Sequence, residues 1–496
     1  DKIVNGWRFG YSSYAIETGI LKGAHIGNVE DLFYSLNSNK PRVIEDFSYE
    51  IGAPKQQGRH QKITFSYFNI LKNKTKFEWG YNFQINDRKE FDVRRGGRTE
   101  IPAIDLLLKT HTLIGSLTGI QHNNWNFELG INGLLQDNFS DPNTGIKRLI
   151  PDYIKYEAGF YVVGNYQKNN SFIWEWGLRI DQILIDAKKY YDFADWEERN
   201  YSGRFSDFEM QKTGSQILTN PKLDYLNFSA QTGISSAIGS RYKLNTSYIL
   251  SQRAPNASEL FSDGLHHSIA AIEYGSLSLQ KEISHKLLFS LSKEKGSLVW
   301  SVEPFMSKVY DYIYIEPTKL KQTIRGAFPV WEYNATDVFL TGVDFTSSFT
   351  INGQLKFDLG ASYTYAEDLL NKKPLILMPP LNTFQKLKYI SKMDKWDAEI
   401  VHHLNAKQNR FPNSNFPVNL IQEGQLVSKT VDISTPPSGF QRLDLYFSYN
   451  IKWNSKLKSQ IRVIAQNLTN TEYRDYLNRM RFYSADLGRN LQLQLN

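Results

Sequence analysis

The stretch GQLKFDLGASYTYAED (353–368) splits into two faces when every second residue is read. Leu355, Phe357, Leu359, Ala361, Tyr363 and Tyr365 form an apolar side that ends in tyrosines, against Lys356, Asp358, Gly360, Ser362 and Thr364. Alternation of period two marks a β-strand with unlike surroundings on its two faces. One such strand fits a soluble sandwich equally well. The pattern recurs, however. LNFSAQTGIS (226–235) sets Leu226, Phe228, Ala230, Thr232 and Ile234 against Asn227, Ser229, Gln231 and Gly233. FLTGVDFTSSFTI (339–351) sets Phe339, Val343, Phe345, Phe349 and Ile351 against Leu340, Gly342, Asp344 and Ser348. RLDLYFSYNI (442–451) sets Leu443, Leu445, Phe447, Tyr449 and Ile451 against Asp444, Tyr446, Ser448 and Asn450. The polar face carries charges, amides, hydroxyls and glycines along its length, as a strand between an oily and an aqueous solvent requires.

The connections between strands alternate in length. Short, Asn-, Gly- and Lys-rich ones occur at 71–76, 167–171, 238–242, 293–297, 351–354, 391–396 and 452–456, as tight hairpins demand. Between them lie long ones, at 19–59, 88–102, 137–151, 187–221, 253–278, 316–330, 366–380 and 407–440. A soluble sandwich has no reason to lengthen every second connection; an outer-membrane barrel has short inner turns and long outer loops. Roughly 18 strands follow, each long enough for the ~9–11 residues that cross a bilayer at a tilt. The expected fold is all-β, a transmembrane antiparallel β-barrel. Trp7, Trp79, Trp125, Trp174, Trp176, Trp300 and Tyr365 fall near strand ends, where an aromatic girdle belongs.

Composition agrees. Mean hydropathy is −0.46, and no run approaches the ~20 apolar residues of a membrane helix. The sequence holds no cysteine, which removes disulfides and thiolate metal sites. The net charge of +7 is spread along the chain and not gathered on one face, so nucleic acid is not the expected partner. No Walker loop, HExxH or Gly-x-Ser-x-Gly elbow is present, and nothing points to an enzyme or to an intrinsic cofactor.

Two stretches carry a family likeness. SQRAPNASELFSDGLHHSIAAIEYGSLSLQKEIS (251–284) resembles the part of TonB-dependent outer-membrane receptors in which Arg-Ala-Pro is followed by a loop, a Gly-Asn-Pro-x-Leu-like element and Lys-x-Glu. Here the second element reads GSLSLQKE, without the Asn-Pro. NLTNTEYRDYLNRMRFYSADLGRN (467–490) is similar to that family's Asn-Leu-x-Asn-x-x-Tyr strand end, loop and Gly-Arg-Asn final strand. RRGGRTEIPAIDLLLKTHT (94–112) is like receptors of this family from the Bacteroidota. The resemblance implies a bacterial outer-membrane location, lipid and lipopolysaccharide around the wall, and a ~22-stranded barrel with a plugged lumen. It also implies a plug contacting the TonB–ExbB–ExbD energising complex. Residues 1–496 are then the barrel part, with the plug, its TonB-contacting segment and about four early strands not in this sequence.

On that reading the protein captures a scarce metal or chelate (zinc, haem or a ferric siderophore) in its outer loops. In receptors resembling zinc importers a His of the first stretch, followed by an apolar pair and a Glu, contributes to capture; this maps onto His267 and Glu273. Haem receptors supply an axial His from the same loop. His266 adjoins His267, with Glu259 and Asp263 before them, and imidazole with carboxylate is ordinary metal chemistry. Adjacent histidines project differently, so one of the pair is expected at a ligand. In His402 and His403, alternation sends one outward and one to the lumen. Arg88, Arg94, Arg95 and Arg98 lie among Asp87, Glu90, Asp92 and Glu100; they either pair with these acids or present forks to an anionic chelate. The loop 187–210 mixes acids with aromatics, and 409–439, rich in Asn, Pro and Ser, reads as a partly mobile lid. Two alternatives are a passive porin-like channel and the importer half of a glycan-uptake pair with a surface lipoprotein.

Overall fold

The computed structural model describes residues 5–22, 27–38, 40–44, 48, 50–71, 74–94, 96–169, 171–454 and 457–496. Of its 25 strands, seven short ones sit inside long connections; the other eighteen run from Asn5–Gly19 to Asn490–Leu495 as one antiparallel meander. Each pairs with its sequence neighbours, as Leu355–Asp368 does with Gly326–Thr350 and Asn382–Ile390. Among the described residues, the first and last of the eighteen pair on one side only. No helix among them is long and apolar enough to cross a membrane.

The wall is inside-out relative to a soluble protein. Leu226 is 53% exposed while Asn227 beside it is 5% exposed, and Asp444 is buried at 1%. The opening stretch follows the same rule. Asp358 is held by Lys356 at 3.2 Å and Lys386 at 3.0 Å on the polar side. Its apolar residues meet Phe349, Leu387 and their neighbours on the other. Polar groups thus satisfy one another across strands on the inner face, and apolar side chains are left for hydrocarbon. At the short-turn end, Trp125 packs on the outside against Tyr166, tilted at 5.1 Å between centroids, and edge to face against Trp174 at 5.4 Å. Gly164 lies under the Trp176 ring: a Cβ there would come within 2.6 Å of it, so glycine lets the indole lie across the strand. Tyr365 is the exception among the expected girdle residues. It stands at the opposite end, with the Arg410 guanidinium 3.7 Å from its ring centre.

The opposite end is roofed. Leu32, Ala271, Trp331, Ile376, Phe416, Val418 and Phe482, from six different connections, share one hydrophobic core. In a flat sheet with strands ~4.8 Å apart, the connection holding Leu32 would lie tens of ångströms from the hairpin holding Trp331. Their contact requires the sheet to curl round, as a barrel wall does. Three parts of the roof differ from the sequence expectation. The connection at 316–330 is no loop: Leu298–Thr323 and Gly326–Thr350 continue above the wall as one tall hairpin. The lid region folds into the hairpin Phe416–Gln422/Gln425–Val431, whose alternating Phe416, Val418 and Leu420 face the roof core. The first long connection contains the helix Val29–Leu36, started by an Asn28/Asp31 capping box and anchored through Leu32 and Leu36.

Candidate functional site

Below the roof, four elements bring charged groups together. The strand Lys76–Phe91 ends with Arg88 and Glu90 on one face, and Asp92 follows it. The connection after Arg253 supplies two short strands, Asp263–His266 and Ala271–Tyr274, paired so that Gly264 opposes Glu273 and His266 opposes Ala271. Ala271–Tyr274 also lies parallel to the tall hairpin, Ile272 opposite Val330. The tight turn His267–Ile269, closed by Ala270 at φ 51°, sends the two histidines in different directions. Arg325 at the hairpin tip and Arg479 from the last long connection complete the group.

His266 is the centre of one half. Its Nδ1 is 3.2 Å from Glu273 Oε2 and its Nε2 is 3.6 Å from Glu90 Oε1. Burial works against a charge on this imidazole, but the two carboxylates outweigh it and lift its pKa to about 9. Arg88 Nη2 also lies 3.1 Å from Nε2. With His266 protonated these are two like charges, held together by fully buried Glu90, which binds Arg88 directly and accepts the Ser268 N–H at 3.2 Å. On the far side Arg479 donates to Glu273 at 2.8 Å with its guanidinium 4.3 Å from the Trp331 ring centre. Burial would raise the Glu273 pKa, yet His266 and Arg479 bring it below the usual carboxylate value.

His267 belongs to the other half. Its Nδ1 meets Asp92 Oδ2 at 3.0 Å, and Arg325 binds the same carboxylate. Here burial dominates and, with Arg325 close by, pushes the imidazole pKa below its ordinary value despite Asp92. Neighbours in sequence, the two imidazoles are therefore shifted in opposite directions.

The other candidate residues are placed as follows. Glu259 is consumed locally: it caps the helix Ala257–Phe261 by accepting the Asn256 N–H at 2.8 Å and pairs with Arg253 at 2.9 Å. Asp263 is fully buried between Lys147 at 3.0 Å and Lys189 at 3.4 Å. Burial alone would raise its pKa, but those cations hold it low. Arg94 donates to the carbonyls of Ile101, Pro102 and Thr144 at 3.0–3.4 Å, stitching two loops together. Arg98 is exposed, and Arg95 lies outside the described residues. The second histidine pair splits by face: His403 Nε2 is 3.4 Å from lumenal Asp444, and His402 bonds Gln385 and Gln441 on the outer face. Among the described residues, no three His, Asp or Glu side chains are set as a ready metal cage. The arginines occupy the carboxylates instead.

Residues 5–468 match the model of the family described as TonB dependent receptor-like, beta-barrel. The chain belongs to that family. No curated relative matches it. Among solved structures, the copper transporter OprC is 15% identical with a TM-score of 0.65, the match covering 89% of this chain and 65% of OprC. The FrpB iron transporter from Neisseria meningitidis (F3-3 variant) is 12% identical with a TM-score of 0.63, covering 99% of this chain and 69% of FrpB. The hemophore receptor HasR of Serratia marcescens, in complex with its hemophore HasA and heme, is 15% identical with a TM-score of 0.56, covering 89% and 66%. At such identities the likeness is one of fold, and this chain spans slightly less than two thirds of OprC.

Within this TonB-dependent receptor barrel, sequence reasoning named His266, His267 and Glu273 as candidate ligands and offered Glu90 and Asp92 as one of two kinds of partner for the arginines. It missed Arg325, Arg479 and Trp331, which reach the cluster from 52 or more positions away in sequence. Arg479 did have a signal: it lies inside the NLTNTEYRDYLNRMRF stretch that carried the family likeness.

Proposed function

We propose that this chain is the barrel of an energised outer-membrane receptor that captures a scarce metal or metal chelate beneath its outer roof and passes it to the periplasm. The observation that carries the reading is His266 held between the carboxylates of Glu90 and Glu273, under loops packed into one core. Imidazole with two carboxylates is a donor set for zinc and other divalent ions. A haem iron would take the imidazole alone. Arg88 and Arg479 neutralise the acids, so a cation must displace them or bind after they swing away. The copper, iron and haem named for the structural neighbours lend this class of cargo further support. Release to the periplasm is assigned to the TonB–ExbB–ExbD complex, which family membership makes the natural partner.

Uptake of radiolabelled zinc and of haem by cells expressing the native protein, with and without a working TonB, tests the proposal. Uptake of one cargo that needs TonB and falls at least tenfold in His266→Ala supports it. Equal uptake without TonB turns the assignment to a passive channel.

A further inference from the structure

The last long connection carries two arginines that the cluster around His266 does not use. Arg481 is 3% exposed, and among the described residues no carboxylate lies within ion-pair distance of it. Its Nη1 reaches only the Asn478 carbonyl at 3.3 Å, and its buried Nε has no hydrogen-bond acceptor. Its guanidinium packs 4.2 Å from the Phe482 ring centre and 4.9 Å from that of Tyr476. Arg474 is fixed beside it, donating through Nη1 to the Arg481 carbonyl at 2.6 Å, while its buried Nη2 has no acceptor. Asp475, the acid whose charge acts on Arg481, accepts the Leu477 N–H at 2.8 Å.

A buried guanidinium without a counter-ion is costly, and proteins rarely keep one unless something completes it. Both arginines line a pocket of about 680 Å³, whose wall also holds Phe440, Tyr473 and Phe482. Its size falls within the roughly 300–1,000 Å³ of small-ligand sites. Two acids share the wall. Asp432 accepts the Ser434 and Thr435 N–H groups at 3.1 and 2.9 Å, and Glu472 is exposed.

We infer that this pocket, at the junction of the last long connection with the 405–440 connection, is a binding site for an oxyanion, a carboxylate or phosphate, gripped by Arg481 and Arg474. Planar guanidinium forks match the paired oxygens of both groups. The oxyanion arrives either on a small solute or on a lipopolysaccharide headgroup. The inference does not rest on the metal reading, because it uses none of the residues around His266.

The test is titration of the detergent-purified protein with citrate and with pyrophosphate, beside Arg481→Gln, Arg474→Gln and His266→Ala. Circular dichroism melting confirms that each variant is folded; Arg474→Gln, at a half-buried position, remains informative should Arg481→Gln fail to fold. Saturable binding that weakens at least tenfold in the arginine variants and is unchanged in His266→Ala is expected. Lipid A, added as a competitor, separates the sources: displacement of pyrophosphate that depends on Arg474 assigns the site to the headgroup, and no displacement assigns it to a solute. Absence of saturable binding to folded wild-type protein, with lipid A also failing to bind, overturns the inference. So does equal binding by folded Arg474→Gln.

Discussion

At the short-turn end of the barrel, strands are joined by as few as two residues, and the backbone bonds of the described turns reach no further than the next strand. Asn123, at φ 53°, closes the link between His122 and Trp125, and Asp394, at φ 51°, does the same near Trp396. At the roofed end no connection is solved alone. Helix Val29–Leu36, the hairpin Phe416–Val431, Trp331 and Phe482 are each held by the others, and every histidine contact in the cluster crosses between elements or strands. One end is a series of short closures tied no further than the next strand, and the other packs residues of six connections into one shared core. Ligand chemistry belongs on the second, where one displaced side chain is felt by several loops.

The largest expected break of that contrast is Trp331→Ala. Removing a buried tryptophan costs roughly 3–5 kcal/mol, and here it also takes the platform from under Arg479. Hydrogen exchange should show the segments 29–36, 416–431 and 480–483 losing protection together while the wall strands keep theirs. Loss confined to 326–350 would mean that the roof is not one body.

Next comes Glu90→Gln. It leaves Arg88 and His266 facing each other without the carboxylate between them, and breaking a buried pair costs roughly 3–5 kcal/mol. The His266 pKa should fall well below about 9, which an imidazole NMR titration reads directly.

A smaller effect separates the two histidines. The folded pKa of His266 is raised, so its stabilising contribution is complete below its ordinary value of 6.5 and is lost as pH rises through about 9. The folded pKa of His267 is lowered, so its contribution is present above 6.5 and is lost as pH falls below it. Roof stability followed by exchange should decline in both directions. His266→Gln should remove the alkaline decline and His267→Gln the acid one.

The smallest effect is at the other end. Asn123→Ala places an unsuited residue at positive φ, at a cost of about 1–2 kcal/mol, and Asn123→Gly should be near neutral. Neither should change ligand binding, as a melting curve and a binding isotherm together would show.

This contrast also explains what the sequence disclosed. The wall was legible because each strand repeats the same period-two rule, and Leu226 or Asp358 declares its face without reference to distant residues. The short turns were legible for the same reason. The roof was legible only in part. PVNLIQEGQLV did carry alternation around a Glu-Gly turn, and Asn28-Val-Glu-Asp31 carried a capping box, but the surrounding Asn, Pro and Ser content masked both. An eight-residue helix is stable only through packing, so the segment alone could not establish it. The site divided likewise. His266 and Glu273 sit seven residues apart in one motif, whereas Arg479 meets Glu273, and Arg325 meets Asp92, only because the wall curls round. Local spacing cannot encode that closure.

The most direct measurement is a zinc titration of the detergent-purified protein at pH 7 and pH 8, counting protons released, with His266→Ala alongside. If His266 is the ligand, it must shed the proton that Glu90 and Glu273 hold on it. Binding should then release about one proton per zinc and tighten by up to ~10-fold per pH unit, with the variant losing both affinity and proton release. Zinc binding that is independent of pH and unchanged in His266→Ala would contradict capture at this cluster.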